Sequence, residues 1–233
     1  MWQHNLVTTK PCAFFDVDNT LISIKSMFSF MNYLQRESNL ISAELIDEVD
    51  VKLKYLFAES TPREHINEYY YSLFNGISVN ALVKEAQAWY LSVCGQADFF
   101  HQHTLARLRH HQEEGYNIVF VSGSGLAMLL PLAEQLNVNA ILCAPQTKAG
   151  GKYMGTLYDL PCIGEGKAHY IRRFFQQFDN ADVSEISVAY GDDISDFPML
   201  DSVGKGCLVN PEDKTLLANK TKYFSVLTAG VVR

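Results

Sequence analysis

Asp16 and Asp18 stand two positions apart in the stretch FFDVDNTL, directly behind an apolar run near the start of the chain. Two carboxylates this close raise each other's proton affinity unless a positive charge joins them. Three more stretches supply what such a pair would need. VSGSG brings Ser122 and the Gly123 amide, GEGK brings the Lys167 ammonium, and YGDDISD brings Asp192, Asp193 and Asp196. Several carboxylates in one crevice suit a hard divalent cation with oxygen ligands, such as Mg²⁺. A hydroxyl, a backbone amide and an ammonium are what a phosphate group needs. Carboxylates, metal and phosphate donors together specify phosphoryl transfer.

Each stretch has a plainer meaning when taken alone. Asp-x-Asp is a common turn after a strand, Ser-Gly a common loop, a lone Lys a solvated helix residue and GDDISD a capped helix start. Their order, and the elements on which they fall, give the set its weight. Cys12 to Val17 reads as a buried parallel strand ending in Asp16 and Asp18. Similar runs at 117–121 (NIVFV), 140–143 (AILC), 186–190 (ISVAY) and 206–209 (GCLV) read as the remaining core strands. Helical patterns at 98–114, 126–136 and 166–178 lie between them, so the fold class is α/β: a doubly wound, mostly parallel Rossmann-like sheet with right-handed connections. In such sheets the ligand crevice lies outside the carboxyl ends of the strands, where all four stretches fall. TKAGGKYMGTL at 147–157 reads as a hairpin around Gly150-Gly151. Its glycines lack the spacing of a nucleotide loop.

Residues from about 26 to 93 carry no strand signal. Met27, Phe28, Met31 and Leu34 keep a helical phase, as do Leu45, Val49, Leu53 and Leu56. Thr61-Pro62-Arg63-Glu64 offers an N-cap, a Pro at N1 and a capping-box Glu, Asn75-Gly76 ends that helix, and a last helix runs from Val79 to about Val93. The expected division is an α/β core at 1–24 and 96–233 with a helical insert at 25–95. The tyrosine run at 69–71 and Trp89-Tyr90 are expected in the core of the insert.

Composition narrows the function classes. The chain of 233 residues is 48% apolar and 19% charged, the profile of a folded globule rather than a disordered chain. With 19 Lys plus Arg against 26 Asp plus Glu, a net charge of −7 argues against nucleic acid or anionic membrane as a partner. The N-terminus lacks the apolar stretch of a secretion signal and no later run is long enough to span a bilayer, so a cytoplasmic location is expected. Five scattered cysteines without a C-x-x-C pair read as small hydrophobes. His101 and His103, two apart, and the adjacent His110 and His111 lack the helical spacing of a metal pair.

DxDxT, then a Ser after an apolar strand, then Lys, then GDxxxD resembles the haloacid dehalogenase superfamily of phosphohydrolases along essentially the whole chain. GYNIVFVSGSG, GEGKAHYI and YGDDISDFPMLDSVG are most similar to its phosphoserine-phosphatase-like branch, which carries a helical cap after the first motif. The resemblance implies a Mg²⁺-dependent phosphatase of a small phosphorylated metabolite. Asp16 would be the nucleophile that forms an aspartyl-phosphate, and Asp18 the general acid and base. Ser122 and Gly123 would bind the phosphoryl group, and Lys167 would bridge nucleophile and phosphate. The metal would take the Asp16 carboxylate, the Asp18 main-chain carbonyl and Asp192, with Asp196 in the surrounding shell. Asp193, where the family often has a small residue, would be either a second-shell partner of the metal or a helix N-terminal acid. Where phosphoserine phosphatases carry a Glu for the substrate ammonium, Lys25 stands here. It would line the substrate cleft and disfavour phosphoserine. Phosphotransfer to an acceptor other than water, and a non-catalytic module that binds a phosphate ligand, are the alternative readings.

Overall fold

In the computed structural model, residues 2–178, 181–210 and 225–227 are described. Of the expected core segment at 96–233, residues 179–180, 211–224 and 228–233 lie outside them. The central strand, β2 (Cys12–Phe15), is buried along its whole length. Its side chains alternate between two cores, as a pleated strand covered on both faces requires. Ala13 and Phe15 point into one, and Cys12 and Phe14 into the other. β3 (Asn117–Gly125) does the same, with Ile118 and Phe120 against Val119 and Val121.

β1 (Trp2–Gln3) precedes β2, and β4 (Ala140–Ala144), β7 (Val188–Gly191), β8 (Lys205–Val209) and β9 (Ser225–Leu227) complete the sheet in the order β1-β4-β3-β2-β7-β8-β9. The β2, β3, β4, β7, β8 and β9 pairings are parallel. The exception is β1, an antiparallel edge strand on β4 that the sequence reading left out, because two residues carry no readable alternation. Chain order reverses at β2, which has β3 on one side and β7 on the other. That is the switch point where a crevice opens at the carboxyl ends.

The insert follows β2 as α1 (Ser26–Glu37), α2 (Ala43–Ala58), α3 (Arg63–Ser72) and α4 (Val79–Val93). It shares the Ala13–Phe15 core with α5 (Gln102–Glu113) and α6 (Leu126–Gln135), while α7 (Glu165–Phe175) and α8 (Phe197–Leu200) pack on the opposite face. Helix α5 begins four residues later than its pattern predicts. The chain leaving the core at 21–23 pairs there with the chain returning at 99–101: Ser23 N donates to the Phe99 carbonyl at 2.9 Å and His101 N to the Leu21 carbonyl at 3.0 Å. Helix α3 starts at Arg63 with Pro62 as N-cap, and no side chain caps it, so the expected Thr61–Glu64 capping box is not formed.

The hairpin is β5 (Gln146–Ala149) with β6 (Lys152–Leu157). Gly150 and Gly151 both hold positive φ, +56° and +75°, which a two-residue turn of this hand requires. The hairpin staples the insert to the core. Gly76 N donates to the Tyr153 carbonyl at 2.8 Å, Tyr153 N to the Ile77 carbonyl at 2.9 Å and Val79 N to the Gly151 carbonyl at 2.9 Å. Among the described residues no helix is long and apolar enough to cross a membrane.

Candidate active site

β2 ends at Phe15, and the next five residues turn sharply. Asn19 takes φ +61°, a left-handed conformation that Asn tolerates better than most residues, and Leu21 N and Ile22 N close back on the Val17 carbonyl. This turn holds Asp16 and Asp18 at the mouth of the sheet. Asp192 follows β7 at the adjacent strand tip. Lys167 lies in the first turn of α7, whose seat depends on Gly166: a Cβ there would stand 1.9 Å from the Pro161 carbonyl oxygen.

The four stretches converge. Lys167 Nζ donates to Asp16 Oδ1 at 2.5 Å and to Asp196 Oδ1 at 2.6 Å, all three side chains being buried. Ligand oxygens of Asp16, Asp192 and Asp196 lie within 4.8 Å of one another. Asp196 Oδ2 accepts from the backbone N–H groups of Asp192 and Asp193 at 3.0 and 3.1 Å, which pins the loop. Thr20 Oγ1 donates to Asp192 Oδ1 at 2.6 Å.

Electrostatics here follow from burial. It pushes Asp16 well above the usual carboxylate range and Lys167 opposes, while the charges of Asp196 and Asp192 push further. Asp192 is pushed up to about 6, by burial first and Asp196 second. Burial works against the Lys167 charge, but Asp16 and Asp196 outweigh it and its pKa is raised. One ammonium thus faces two buried carboxylates and a half-buried third, and the remaining negative charge is what a hard divalent cation offsets.

Asp18 is held apart from that cluster. Its Oδ2 accepts from the Ser26 N–H at 3.0 Å and from the Ser26 hydroxyl at 3.1 Å, and Ser26 Oγ meets Ser124 Oγ at 2.6 Å. Its Oδ1 is buried with no hydrogen-bond partner. Burial, and then the Asp16 charge, push this carboxyl up to about 7, against the pull of the Ser26 bonds. It can therefore carry a proton near neutrality.

Ser122 and Gly123 lie where β3 shifts register, beyond the tip of β2. The Gly123 carbonyl accepts from Asn67 Nδ2 at 2.9 Å and from the Tyr71 hydroxyl at 2.8 Å, both in α3. These bonds fix the peptide that follows Gly123, whose Ser124 N–H donates to Ser122 Oγ at 3.1 Å. A side chain at 123 would meet Ile163 at 2.9 Å.

Lys25 is exposed at the N-cap of α1 and lines the same cavity. The Asp193 carboxylate is not one of the three in the cluster, though it lines the same cavity. It caps the turn at Ile194–Asp196 and binds Arg63 of the insert through two bonds. The residues that sequence reasoning missed are Thr20, Ser26, Arg63, Asn67, Tyr71 and Ser124. Thr20 stood within DVDNT and could have been read with it. Ser124 likewise stood within VSGSG, while Ser26, Arg63, Asn67 and Tyr71 carry no local signal, since each acts across 50 residues or more or through an ordinary helix start.

Comparison with known proteins agrees with this geometry. Residues 13–201 match the family model described as haloacid dehalogenase-like hydrolase. The chain belongs to that family and is an enzyme of its phosphohydrolase type. A Mycobacterium tuberculosis protein named as a probable phosphatase is 26% identical over 211 residues, 87% of this chain and 70% of its own length. Phosphoserine phosphatase SerB1 of the same organism is 24% identical over 206 residues, 86% of this chain and 65% of its own. Among solved structures, a Bordetella pertussis protein of unknown function superposes with a TM-score of 0.79 at 19% identity, covering 94% of this chain and 98% of its own. A substrate-bound phosphoserine phosphatase gives 0.61 at 17% identity, covering 92% of each chain. These two likenesses speak to the fold.

Proposed function

We propose that this enzyme is a Mg²⁺-dependent phosphatase acting on a small phosphorylated metabolite through an aspartyl-phosphate on Asp16. The observation that carries the reading is the Lys167 ammonium shared between Asp16 and Asp196, with Asp192 beside them and the Ser122–Gly123 loop across the same cavity. Asp16, Asp192 and the Asp18 main-chain carbonyl would hold the ion, with Asp196 in reach. When bound, it supplies positive charge to the phosphoryl oxygens and makes the clustered carboxylates tolerable.

An Asp16 carboxylate oxygen attacks phosphorus as the bond to the leaving oxygen breaks, and Asp18 gives its proton to that oxygen. The free Oδ1 of Asp18 suits this, because Ser26 already occupies Oδ2. In the second half a water attacks phosphorus and yields a proton to Asp18, the bond to Asp16 breaks, and phosphate leaves. Ser122 and the Gly123 amide hold the phosphoryl oxygens, and Lys167 keeps Asp16 oriented.

The helical segment at 25–95 acts as a cap over a core at 1–24 and 96–233. Its residues Lys25, Phe28 and Arg63 form the outer wall of the cavity, which supports that role. Closure excludes water from the reacting groups. Lys25 there disfavours a substrate ammonium, so phosphoserine is a poor substrate. The test is phosphate release from a broad panel of phosphomonoesters with Mg²⁺. Turnover lost in Asp16→Asn, with the fold intact, is expected; near-normal activity in that variant defeats the covalent mechanism.

A further inference from the structure

We infer that the preferred substrate is a phosphomonoester whose leaving group carries an uncharged apolar body, seated against Phe28 and Phe57 of the cap. This inference rests on the phosphatase reading and extends it to substrate class.

Met27, Phe28, Phe57, Ile66 and Ile163 supply apolar wall to the same cavity that Ser122 and Lys167 line. Phe28 and Phe57 face each other with ring centroids 5.8 Å apart at 56°, and Phe28 is braced behind by Tyr70 at 6.3 Å. Phe57 lies 47% exposed in the last turn of α2. Isolated exposed apolar side chains are ordinary, but this one opens onto the same cavity as the nucleophile. A bound apolar group would cover it.

Charge in the wall argues against a zwitterionic leaving group. Five carboxylates line the cavity, and each has at least one partner within the protein. Asp16 and Asp196 hold Lys167, Asp192 accepts from Thr20, Asp18 from Ser26, and Asp193 is gripped by Arg63. Asp18 Oδ1, which has no partner, is buried and is the oxygen that carries the proton for the leaving group. Lys25, which forms no ion pair among the described residues, adds repulsion at the rim.

The experiment compares kcat/KM for 3-phenylpropyl phosphate, propyl phosphate and phosphoserine. The first two share the same leaving-group chemistry and differ in apolar body alone. Wild type, Phe57→Ala, Phe57→Leu and the Asp16→Asn blank are measured with Mg²⁺. The phenylpropyl ester is expected to exceed the propyl ester by about tenfold or more, the range a hydrophobic pocket yields for added apolar groups. Phosphoserine should be the poorest. Phe57→Ala should shrink the phenylpropyl-to-propyl ratio several-fold and Phe57→Leu should restore most of it. Equal kcat/KM for the two alkyl esters, or a ratio untouched by Phe57→Ala, overturns the inference and leaves the phosphatase reading standing. No phosphate release above the blank from any ester, p-nitrophenyl phosphate included, overturns both.

Discussion

Arg63 of α3 grips Asp193 of the loop after β7 through two parallel bonds, 2.8 Å to Oδ1 and 3.1 Å to Oδ2, and so ties the insert to the loop that carries Asp192. The same Asp193 accepts from Ser195 N at 2.9 Å, so the carboxylate is fixed before the guanidinium reaches it. Both side chains are partly exposed, at 54% and 32%. In water-accessible surroundings such a pair contributes about 0.2–1 kcal/mol to stability. Its value lies in geometry, since it joins α3 to the loop that carries Asp192.

Arg63→Ala and Asp193→Asn should therefore each lower kcat/KM several-fold while shifting folding stability by no more than about 1 kcal/mol. The double variant should be little worse than either single one, because both remove the same contact. A double-mutant cycle on kcat/KM measures this; additive losses would show that the two residues act independently.

Thr20→Val should raise the Mg²⁺ concentration needed for half-maximal activity by about tenfold, the lower end of what loss of a ligand's orienting partner costs. The hydroxyl is the donor that holds Asp192 Oδ1. Maximal velocity at saturating Mg²⁺ should change far less. Exhaustive chelation should silence wild type and variant alike. A metal titration followed by turnover decides it.

Ser26→Ala removes the hydroxyl that, with its own N–H, holds Asp18 Oδ2, and it breaks the contact to Ser124. With Asp18 as general acid, the loss should depend on how much the leaving oxygen needs a proton. Alkyl phosphates should lose about tenfold in kcat, less than the full span attributed to a positioned proton donor because the Ser26 N–H still holds Asp18. p-Nitrophenyl phosphate, whose leaving group departs unprotonated, should lose far less. A uniform loss across both would assign Ser26 to packing alone.

His111 predicts a pH-dependent stability unrelated to catalysis. Its ring is buried beside Phe15, Tyr116 and Tyr190, and its Nε2 pairs with the Tyr190 hydroxyl at 2.9 Å. Burial lowers its pKa; Glu114 opposes, and His110 and Arg107 reinforce the drop. The native state thus binds fewer protons than the unfolded chain below about pH 6.5, the ordinary histidine value. Stability is full above that value and declines as pH falls from there toward the depressed native pKa. Asp16, Asp18 and Asp192, raised in the native state, act in the opposite direction over this range, so the His111 contribution is the difference in denaturant stability between wild type and His111→Gln, which should fall as pH drops from 7.5 to 5.5.

Much of this was legible because it is local. An apolar run ending in Asp, a Ser-Gly after a second such run and a Gly-Asp after a third each mark a strand tip, since a strand covered on both faces must be apolar throughout and can turn polar where it emerges. The helical phase between β2 and α5, the Gly150-Gly151 turn and the motif order were equally readable, and they determined the α/β class, the family resemblance and the choice of Asp16, Asp18, Ser122, Lys167 and Asp192 as candidates. Tertiary structure decided the rest, because those contacts join residues that have no spacing in common. The side chain that pairs with Asp193 is that of Arg63, 130 positions away. Which oxygen of Asp18 stays free depended on a cap serine meeting a serine of β3 across 98 positions. The start of α5 depended on backbone pairing between the two linkers, which overrode the helical pattern at 98–101. Side-chain periodicity encodes which face of an element is buried, but the partner on that face is chosen only when the sheet, the insert and the hairpin close on one another.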